Sequence, residues 1–238
     1  MKLSSFGISD IGRVRAVNED RVHLDDELHV YAVADGLGGL PGGSTASEMT
    51  VAHIREWAPE HLAEAARDFK QLFARINETV HAEGQRLHPG IGIGTTLTCV
   101  KAWQDTLFIG HVGDSSAYLI RRGTLSPLTE DHTLAAELES RMGSDWEEMP
   151  EYFYHTLTRC IGQKDTVEVD EGEIPLQDGD RILLCTDGLT KVVGHEDILN
   201  TIEANLSPEA AGRSLIEDAL KEGAPDNVSL VLVYVHAD

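Results

Sequence analysis

Short apolar runs that lead to an aspartate are the most regular feature of the hydrophobic pattern. Residues 28–34 form a strongly apolar stretch that ends at Asp35-Gly36, and residues 180–185 form another that leads to Asp187. Two more apolar runs have an aspartate at one end: residues 108–112 before Asp114, and residues 228–235 after Asp226. The pattern predicts four strands whose carboxylates lie on their rims.

The remaining periodicity predicts further strands and several helices. The other predicted strands cover residues 6–10, 96–103, 106–112, 116–121 and 166–171, with hairpin turns at residues 104–105 and 122–123. Apolar residues at helical spacing predict helices over residues 45–57, 62–80, 133–142, 195–205 and 207–220. A capping box, Thr45 with Glu48, should begin the first helix and Pro59 should end it, while Ser207 and Pro208 should begin the last.

The order of these elements indicates an α+β protein. Strands and helices do not alternate strictly, which argues against a doubly wound parallel sheet. Runs of hairpin strands with grouped helices favour an antiparallel core with helices packed outside. No linker, repeat or low-complexity segment divides residues 1–238, so we expect a single domain. Residues 129–155 break the pattern and are interpreted as a surface flap, where recognition often occurs.

Charge and cysteine content narrow the classes of function. The formal net charge of −22 excludes a broad electrostatic footprint for nucleic acid or anionic membrane, because phosphate contacts depend on clustered Lys and Arg. A site that handles phosphate here would need divalent cations to neutralise it. The three cysteines are scattered, and no signal peptide or apolar span is evident, so a cytoplasmic location is expected.

Two interpretations of the rim aspartates are open. Asp-Gly is a common turn dipeptide, and for a single pair the turn is the better explanation. Four carboxylates at strand ends can instead converge on rigid elements to hold a hard cation such as Mg²⁺ or Mn²⁺. For four such sites in one chain, the metal interpretation is favoured.

Seven motifs in a fixed order carry a resemblance to a known family. They contain residues 12–20, 34–39, 94–97, 111–115, 157–159, 185–189 and 226–229. Together they resemble the metal-dependent protein phosphatases of type 2C, in their bacterial single-domain form. The resemblance covers nearly the whole chain. It implies a central antiparallel β-sandwich flanked by helices on both outer faces, and hydrolysis of phosphoserine and phosphothreonine in proteins.

The resemblance also implies a role for each matching residue. Asp35 would bridge two metal ions, with the Gly36 carbonyl on one of them and Asp187 and Asp226 on the other. The remaining matches have supporting roles: Glu19 and Asp20 holding metal-bound waters, Asp114 joining Asp187 at a possible third ion, and Arg15 clamping the substrate phosphate. A metal-bridging water would attack phosphorus in line, and a planar guanidinium suits the equatorial oxygens.

One position departs from the family pattern. Leu40 stands where bacterial members commonly have a histidine after the glycines of the first metal loop. Its absence leaves the general acid unassigned, and a metal-bound water is one candidate. Loss of one general acid typically slows catalysis by about 10²–10⁴-fold without abolishing it.

The favoured hypothesis is a monomeric Ser/Thr protein phosphatase that opposes a cognate kinase and uses two Mg²⁺ or Mn²⁺ ions. The first alternative is a pseudophosphatase that binds a phosphoprotein without turnover, suggested by Leu40. The second is another two-metal hydrolase, such as a nuclease or small-molecule phosphatase. The acidity of the chain counts against nucleic acid, and a comparison of phosphopeptide with nucleotide substrates would test the rest.

Overall fold

The structure is a computed structural model that describes residues 1–63, 68–142 and 149–237. Within these residues ten strands are present: β1 (Lys2–Asp10), β2 (Asp20–Asp25), β3 (Val30–Asp35), β4 (Leu97–Trp103), β5 (Thr106–Val112), β6 (Ser116–Arg121), β7 (Thr124–Pro127), β8 (Asp170–Pro175), β9 (Arg181–Cys185) and β10 (Val228–His236). The same residues contain six α-helices: α1 (Gly43–His61), α2 (Phe69–Leu87), α3 (Leu134–Met142), α4 (Asp187–Thr190), α5 (His195–Ala204) and α6 (Pro208–Lys221).

The strands form two five-stranded antiparallel sheets. One sheet has the order β1-β10-β9-β6-β7 and the other has the order β2-β3-β4-β5-β8. β1 and β10 pair along their whole length, from Lys2 opposite His236 to Asp10 opposite Val228. The two ends of the described chain therefore lie side by side in one sheet.

The central strands are buried on both faces, which explains their unbroken apolar sequences. In β3, Tyr31 and Val33 point into the space between the sheets. Val30 and Ala32 point the other way, into a cluster formed with α1 and α2. The sheet that contains β10 repeats this arrangement, with α5 and α6 on its outer face. The predicted antiparallel sandwich with helices on both outer faces is confirmed.

The tight hairpins follow the predicted turns. Gln104 (φ 52°) lies in the turn between β4 and β5, and Arg122 (φ 53°) with Gly123 (φ 74°) lies between β6 and β7. Left-handed conformations of this kind match the twist of two-residue hairpins. Among the described residues, no helix is both long and apolar enough to cross a membrane.

The predicted boundaries of α1 were wrong at both ends. The helix is preceded by Gly42, in the left-handed conformation, and its N-terminus has no side-chain cap. Thr45 and Glu48 therefore lie inside the helix rather than forming a capping box. Pro59 removes one backbone hydrogen bond but lies so near the end that the helix continues to His61.

The predicted strand over residues 166–171 was also displaced. β8 begins only at Asp170, because its partner β5 ends at Val112 and the pairing stops at His111 opposite Asp170. Val167 and Val169 are buried in the core without belonging to a ladder. The second predicted helix begins later than expected, at Phe69, and its predicted residues 64–67 lie outside the described residues.

Two edge strands were missed by the pattern. β2 is rich in charge, yet it pairs with β3 from Asp20 opposite Asp35 to Asp25 opposite Val30. β7 has only four residues and closes a hairpin with β6. Within the predicted flap, α3 and a short 3-10 helix (Glu151–Tyr154) are described, and residues 143–148 lie outside the described part.

Candidate active site

The rim aspartates converge at one end of the sandwich. Asp35 ends β3 and Asp114 follows β5 in one sheet, while Asp187 follows β9 and Asp226 precedes β10 in the other. All four line a single cleft of about 820 Å³. Of the other residues predicted from the sequence, Arg15, Glu19 and Gly36 line the same cleft. Elements distant in sequence thus bring seven of the eight predicted residues to one surface.

The Asp35 corner is held by two threonines that immediately precede the neighbouring strand, β4. The amide of Asp35 donates to Thr96 Oγ1 at 2.9 Å, and the carbonyl of Asp35 accepts from the Thr96 amide at 2.8 Å. Thr95 Oγ1 donates to the same carbonyl at 2.8 Å. Because the backbone is satisfied locally, the carboxylate is left free to face the cleft.

Glycine follows two of the aspartates because the backbone of another segment passes very close. A Cβ atom on Gly188 would lie 1.9 Å from the carbonyl oxygen of Asn227, and one on Gly36 would lie 2.4 Å from the carbonyl oxygen of Gly43. Real Cβ contacts do not reach these distances, so any side chain would displace the backbone. The Asp-Gly pairs therefore serve close packing behind the site rather than turn geometry alone.

Asn227 fastens the start of β10 to the loop that carries Arg15. Its side-chain amide donates to the carbonyls of Ile11 at 2.9 Å and Val17 at 3.1 Å, and its oxygen accepts from the Glu19 amide at 2.8 Å. Asn227 therefore has a structural role beside Asp226. It sets the positions of Arg15, Glu19 and Asp226 relative to one another.

Glu19 and Asp20 lie next to the rim carboxylates on the β2 side. Glu19 Oε1 accepts from the amide of Ser44 at 3.2 Å, near the start of α1. Asp20 is buried, opposite Asp35 in the β2–β3 register, and accepts from Thr186 Oγ1 at 2.8 Å through Oδ2. Asp20 is the one predicted residue that lies beneath the cleft rather than on its surface.

Two basic side chains contact the carboxylates directly. Arg15 Nη2 donates to Asp226 Oδ2 at 2.8 Å, and Lys191 Nζ donates to Asp187 Oδ2. In the described part of the chain, no group of three His, Cys, Asp or Glu side chains is already arranged around a metal position.

Three carboxyl groups of the cluster, those of Asp20, Asp35 and Asp114, have raised pKa values. Burial raises the pKa of Asp114 to about 7, with the charge of Asp187 adding to the effect and Lys191 opposing it. Burial also raises the pKa of Asp20 to about 6. The pKa of Asp35 lies well above its ordinary value, first through burial and then through repulsion from Asp20, Asp187, Asp114 and Asp226. The cluster therefore needs positive charge to be fully ionised at neutral pH.

The residues present fit a hard divalent cation. Every donor is an oxygen, as Mg²⁺ and Mn²⁺ prefer. Asp187 Oδ1 and Asp20 Oδ1 are buried and have no hydrogen-bond partner, although buried polar atoms are nearly always paired. Cations bound at the cleft would satisfy the unpaired oxygen of Asp187 and relieve the repulsion around Asp35.

The cleft also contains residues to which the sequence assigned no role. Lys191 and His155 both line it, as does Leu40, the departure noted in the first metal loop. Lys191 could have been found from its spacing, because a residue four positions after Asp187 lies on the same face of a helical turn. His155 enters the cleft from the end of the flap, and no local pattern indicates this.

Comparisons with known proteins identify the family. The model of the protein phosphatase 2C family matches residues 12–222. The serine/threonine phosphatase stp of Listeria welshimeri is 32% identical over 235 residues, covering 94% of this chain and 93% of that protein. The chain belongs to the protein phosphatase 2C family, as its motifs predicted.

Solved structures agree over nearly the whole length. The Mycobacterium tuberculosis serine/threonine phosphatase PstP/Ppp superposes with a TM-score of 0.86 at 30% identity, covering 99% of each chain. The catalytic domain of PstP, solved with two manganese ions, has a TM-score of 0.82 at 32% identity and also covers 99% of each chain. The prediction of an enzyme that acts on phosphorylated proteins is confirmed, and the pseudophosphatase alternative receives no support.

Proposed function

We propose that this chain hydrolyses phosphoserine and phosphothreonine in proteins, with two divalent metal ions held at the cleft where the sheets meet. The observation that carries the proposal is the convergence of Asp35, Asp114, Asp187 and Asp226 from four strands on one cleft beside Arg15. Membership of the protein phosphatase 2C family and likeness to full-length serine/threonine phosphatases support the activity. We assign the ions as Mg²⁺ or Mn²⁺ from the oxygen-only donor set.

The carboxylates have separate tasks in this proposal. Asp35 and the carbonyl of Gly36 would hold the ions on one side of the cleft, and Asp187 and Asp226 would hold them on the other. The bound ions would supply a water acidic enough to attack phosphorus near neutral pH. Glu19 and the buried Asp20 would orient water from behind, as outer carboxylates do at other metal sites.

Arg15 would exchange its present partner for the substrate. Its guanidinium is half-exposed and pairs with the Asp226 carboxylate at the mouth of the cleft. If Asp226 held a metal ion instead, that guanidinium would be free to donate two parallel hydrogen bonds to the phosphoryl group. Arg15 would then orient the substrate and stabilise the charge that spreads over the equatorial oxygens.

The proposal extends to the domain organisation, oligomeric state, location and partner of the enzyme. We propose that residues 1–238 act as one catalytic domain, as a monomer in the cytoplasm, on phosphoproteins made by a cognate Ser/Thr kinase. Three unpaired cysteines, two of them buried, agree with a reducing compartment. The net charge of −22 argues against nucleic acid as substrate.

The decisive experiment is hydrolysis of a phosphothreonine peptide by the purified protein, first with Mn²⁺ and then with excess chelator. We expect phosphate release that requires the metal and stops on chelation. A nucleotide monophosphate, assayed in parallel, should be hydrolysed far more slowly. No release from the peptide at any Mn²⁺ concentration would refute the proposed activity, and preference for the nucleotide would indicate a small-molecule phosphatase.

A further inference from the structure

Lys191 is the one cleft residue with a positive charge on the Asp187 side among those described. It follows α4 directly, and its amide donates to the Asp187 carbonyl at 2.9 Å, so the two side chains lie on one face of the turn. The ammonium group contacts Asp187 Oδ2. Its position in the fold is therefore set by the same turn that presents Asp187.

This ion pair differs from the ordinary surface pairs of the molecule. The pair Glu209–Arg213 has the same spacing, but its side chains are 59% and 58% exposed. The Asp187 side chain is only 14% exposed, whereas that of Lys191 is 39% exposed. A pair with one nearly buried member at the bottom of a cleft is less screened by water than a surface pair.

The positive charge of Lys191 also faces a second carboxylate. Asp114 lines the same cleft as Lys191 and Asp187, so its carboxylate also faces the ammonium group. Asp114 and Asp187 are the residues whose resemblance to the family implies a third ion. The lysine thus lies among the oxygens that a third ion would need.

We propose that the Lys191 ammonium group takes the place of a third metal ion, so that this enzyme holds two divalent ions and excludes a third at Asp114 and Asp187. This inference rests on the proposed metal centre. A divalent ion in this position would face a fixed positive charge and would have to displace it from Asp187.

The test is the number of Mn²⁺ ions bound per chain, measured by the loss of the free-ion paramagnetic resonance signal during titration of metal-stripped protein. The wild-type protein should bind two ions. Lys191→Met, which keeps most of the stem and removes the charge, should bind a third, at least about tenfold tighter than any third ion in the wild type. Lys191→Arg should still bind two.

Two controls isolate the position of the charge. Lys221→Met removes an ammonium group from a helical ion pair with Asp218 outside the cleft, and it should leave the number of ions at two. Asp114→Asn combined with Lys191→Met should lose the third ion again. Melting temperature reports folding of each variant, and Lys191→Gln provides a second neutral side chain should the methionine destabilise the turn.

The outcomes separate this inference from the metal centre itself. Fewer than two ions in the wild type would overturn both. Two ions in the wild type and two in both neutral variants would overturn the inference alone, as would three ions in the wild type. A higher KM for phosphopeptide in Lys191→Met, with the ion count unchanged, would assign Lys191 to the substrate phosphate and also overturn it.

Discussion

The tripeptide Asp-Gly-Leu occurs at two corners of the cleft, and the aspartate has different charged neighbours at each corner. Asp35 ends a central strand of one sheet, and Asp187 follows a central strand of the other. Both aspartates are followed by a glycine against which another backbone segment packs. Asp35 is surrounded by four other carboxylates that raise its pKa. Asp187 is paired with Lys191.

The difference shows that the negative charge of the aspartate in one motif can be balanced in two ways. At the Asp187 corner the chain supplies its own cation from the next helical turn. At the Asp35 corner the nearest cation, Arg15, pairs with Asp226 instead. In the proposed metal centre, positive charge for Asp35 would come from bound ions. We expect substitutions at the two corners to separate metal dependence from packing, and the predictions that follow run from the largest effect to the smallest.

Asp35→Asn should break the metal-dependent corner. We expect kcat to fall by at least about 10³-fold, because the carboxylate proposed to hold both ions loses its charge. The metal-free variant should nevertheless melt at a higher temperature than the metal-free wild type, because one of the repelling carboxylates is gone. Phosphopeptide turnover and thermal melting in chelator measure the two effects.

The matched control is Asp218→Asn, the same chemical change on α6 outside the cleft. It should leave kcat unchanged. Full activity in Asp35→Asn would contradict the role assigned to Asp35 at the metal ions.

Gly188→Ala should break the packing behind the Asp187 corner. The new Cβ would lie 1.9 Å from the Asn227 carbonyl oxygen, so the backbone of one segment must move. We expect a loss of about 3 kcal/mol of stability, or roughly 6–12 °C in Tm for a chain of this size. Gly39→Ala is the control, because its added Cβ would meet nothing within 4 Å. Equal melting temperatures for both variants would refute the close approach.

Arg15→Lys should separate substrate binding from metal binding. The change keeps the charge but removes the planar fork, so KM for phosphopeptide should rise by about 10–100-fold with a smaller change in kcat. Mn²⁺ binding should be nearly unchanged. Arg13→Lys, two residues away and outside the cleft, should have no effect on KM. A KM that stays at the wild-type value in Arg15→Lys would remove the arginine from the phosphate.

His111→Gln, close to Asp114, should make the stability of the protein less dependent on pH. His111 is buried, donates through Nε2 to the Glu130 carbonyl at 3.0 Å, and lies beside His132. Burial lowers its pKa from the ordinary value to about 3, with the charge of His132 adding to the effect. The folded protein therefore keeps His111 neutral between about pH 6.5 and 3, whereas the unfolded chain binds a proton there.

His111 does not reduce the free energy of unfolding above about pH 6.5, and it reduces it progressively as the pH falls below that value. At pH 5 the loss amounts to about 2 kcal/mol. We expect the wild type to lose that much more stability than His111→Gln between pH 7 and pH 5, measured by urea unfolding. The other groups titrate in both proteins and largely cancel. Parallel pH profiles would show that His111 is protonated in the folded state.

Sequence alone predicted the elements whose pattern is imposed by burial. β3 and β10 are apolar throughout because both of their faces are covered, and α6 carries its own start signal in Ser207 and Pro208. β2 was missed because an edge strand can remain charged. The start of β8 depends on where β5 ends, which no property of residues 166–171 reveals.

The candidate site was also predicted only in part from the sequence. Motifs named eight residues in advance, and the structure brings seven of them to the surface of one cleft with Asp20 beneath it. Contacts between distant segments were out of reach, such as Arg15 with Asp226 across 211 positions. Lys191 was overlooked for a different reason. Its spacing of four residues from Asp187 is visible in the sequence, but the burial of Asp187 that distinguishes this pair from surface pairs is not.

The bonds that Asn227 makes to Ile11, Val17 and Glu19 have a consequence for the order of synthesis. These three residues are translated some two hundred positions before their partner. A ribosome-bound chain that has not yet released β10 lacks Asp226, the pairing of β10 with β1, and the anchor of the Arg15 loop. A growing chain should therefore lack phosphatase activity until β10 has emerged from the ribosome and Asn227 can reach these partners.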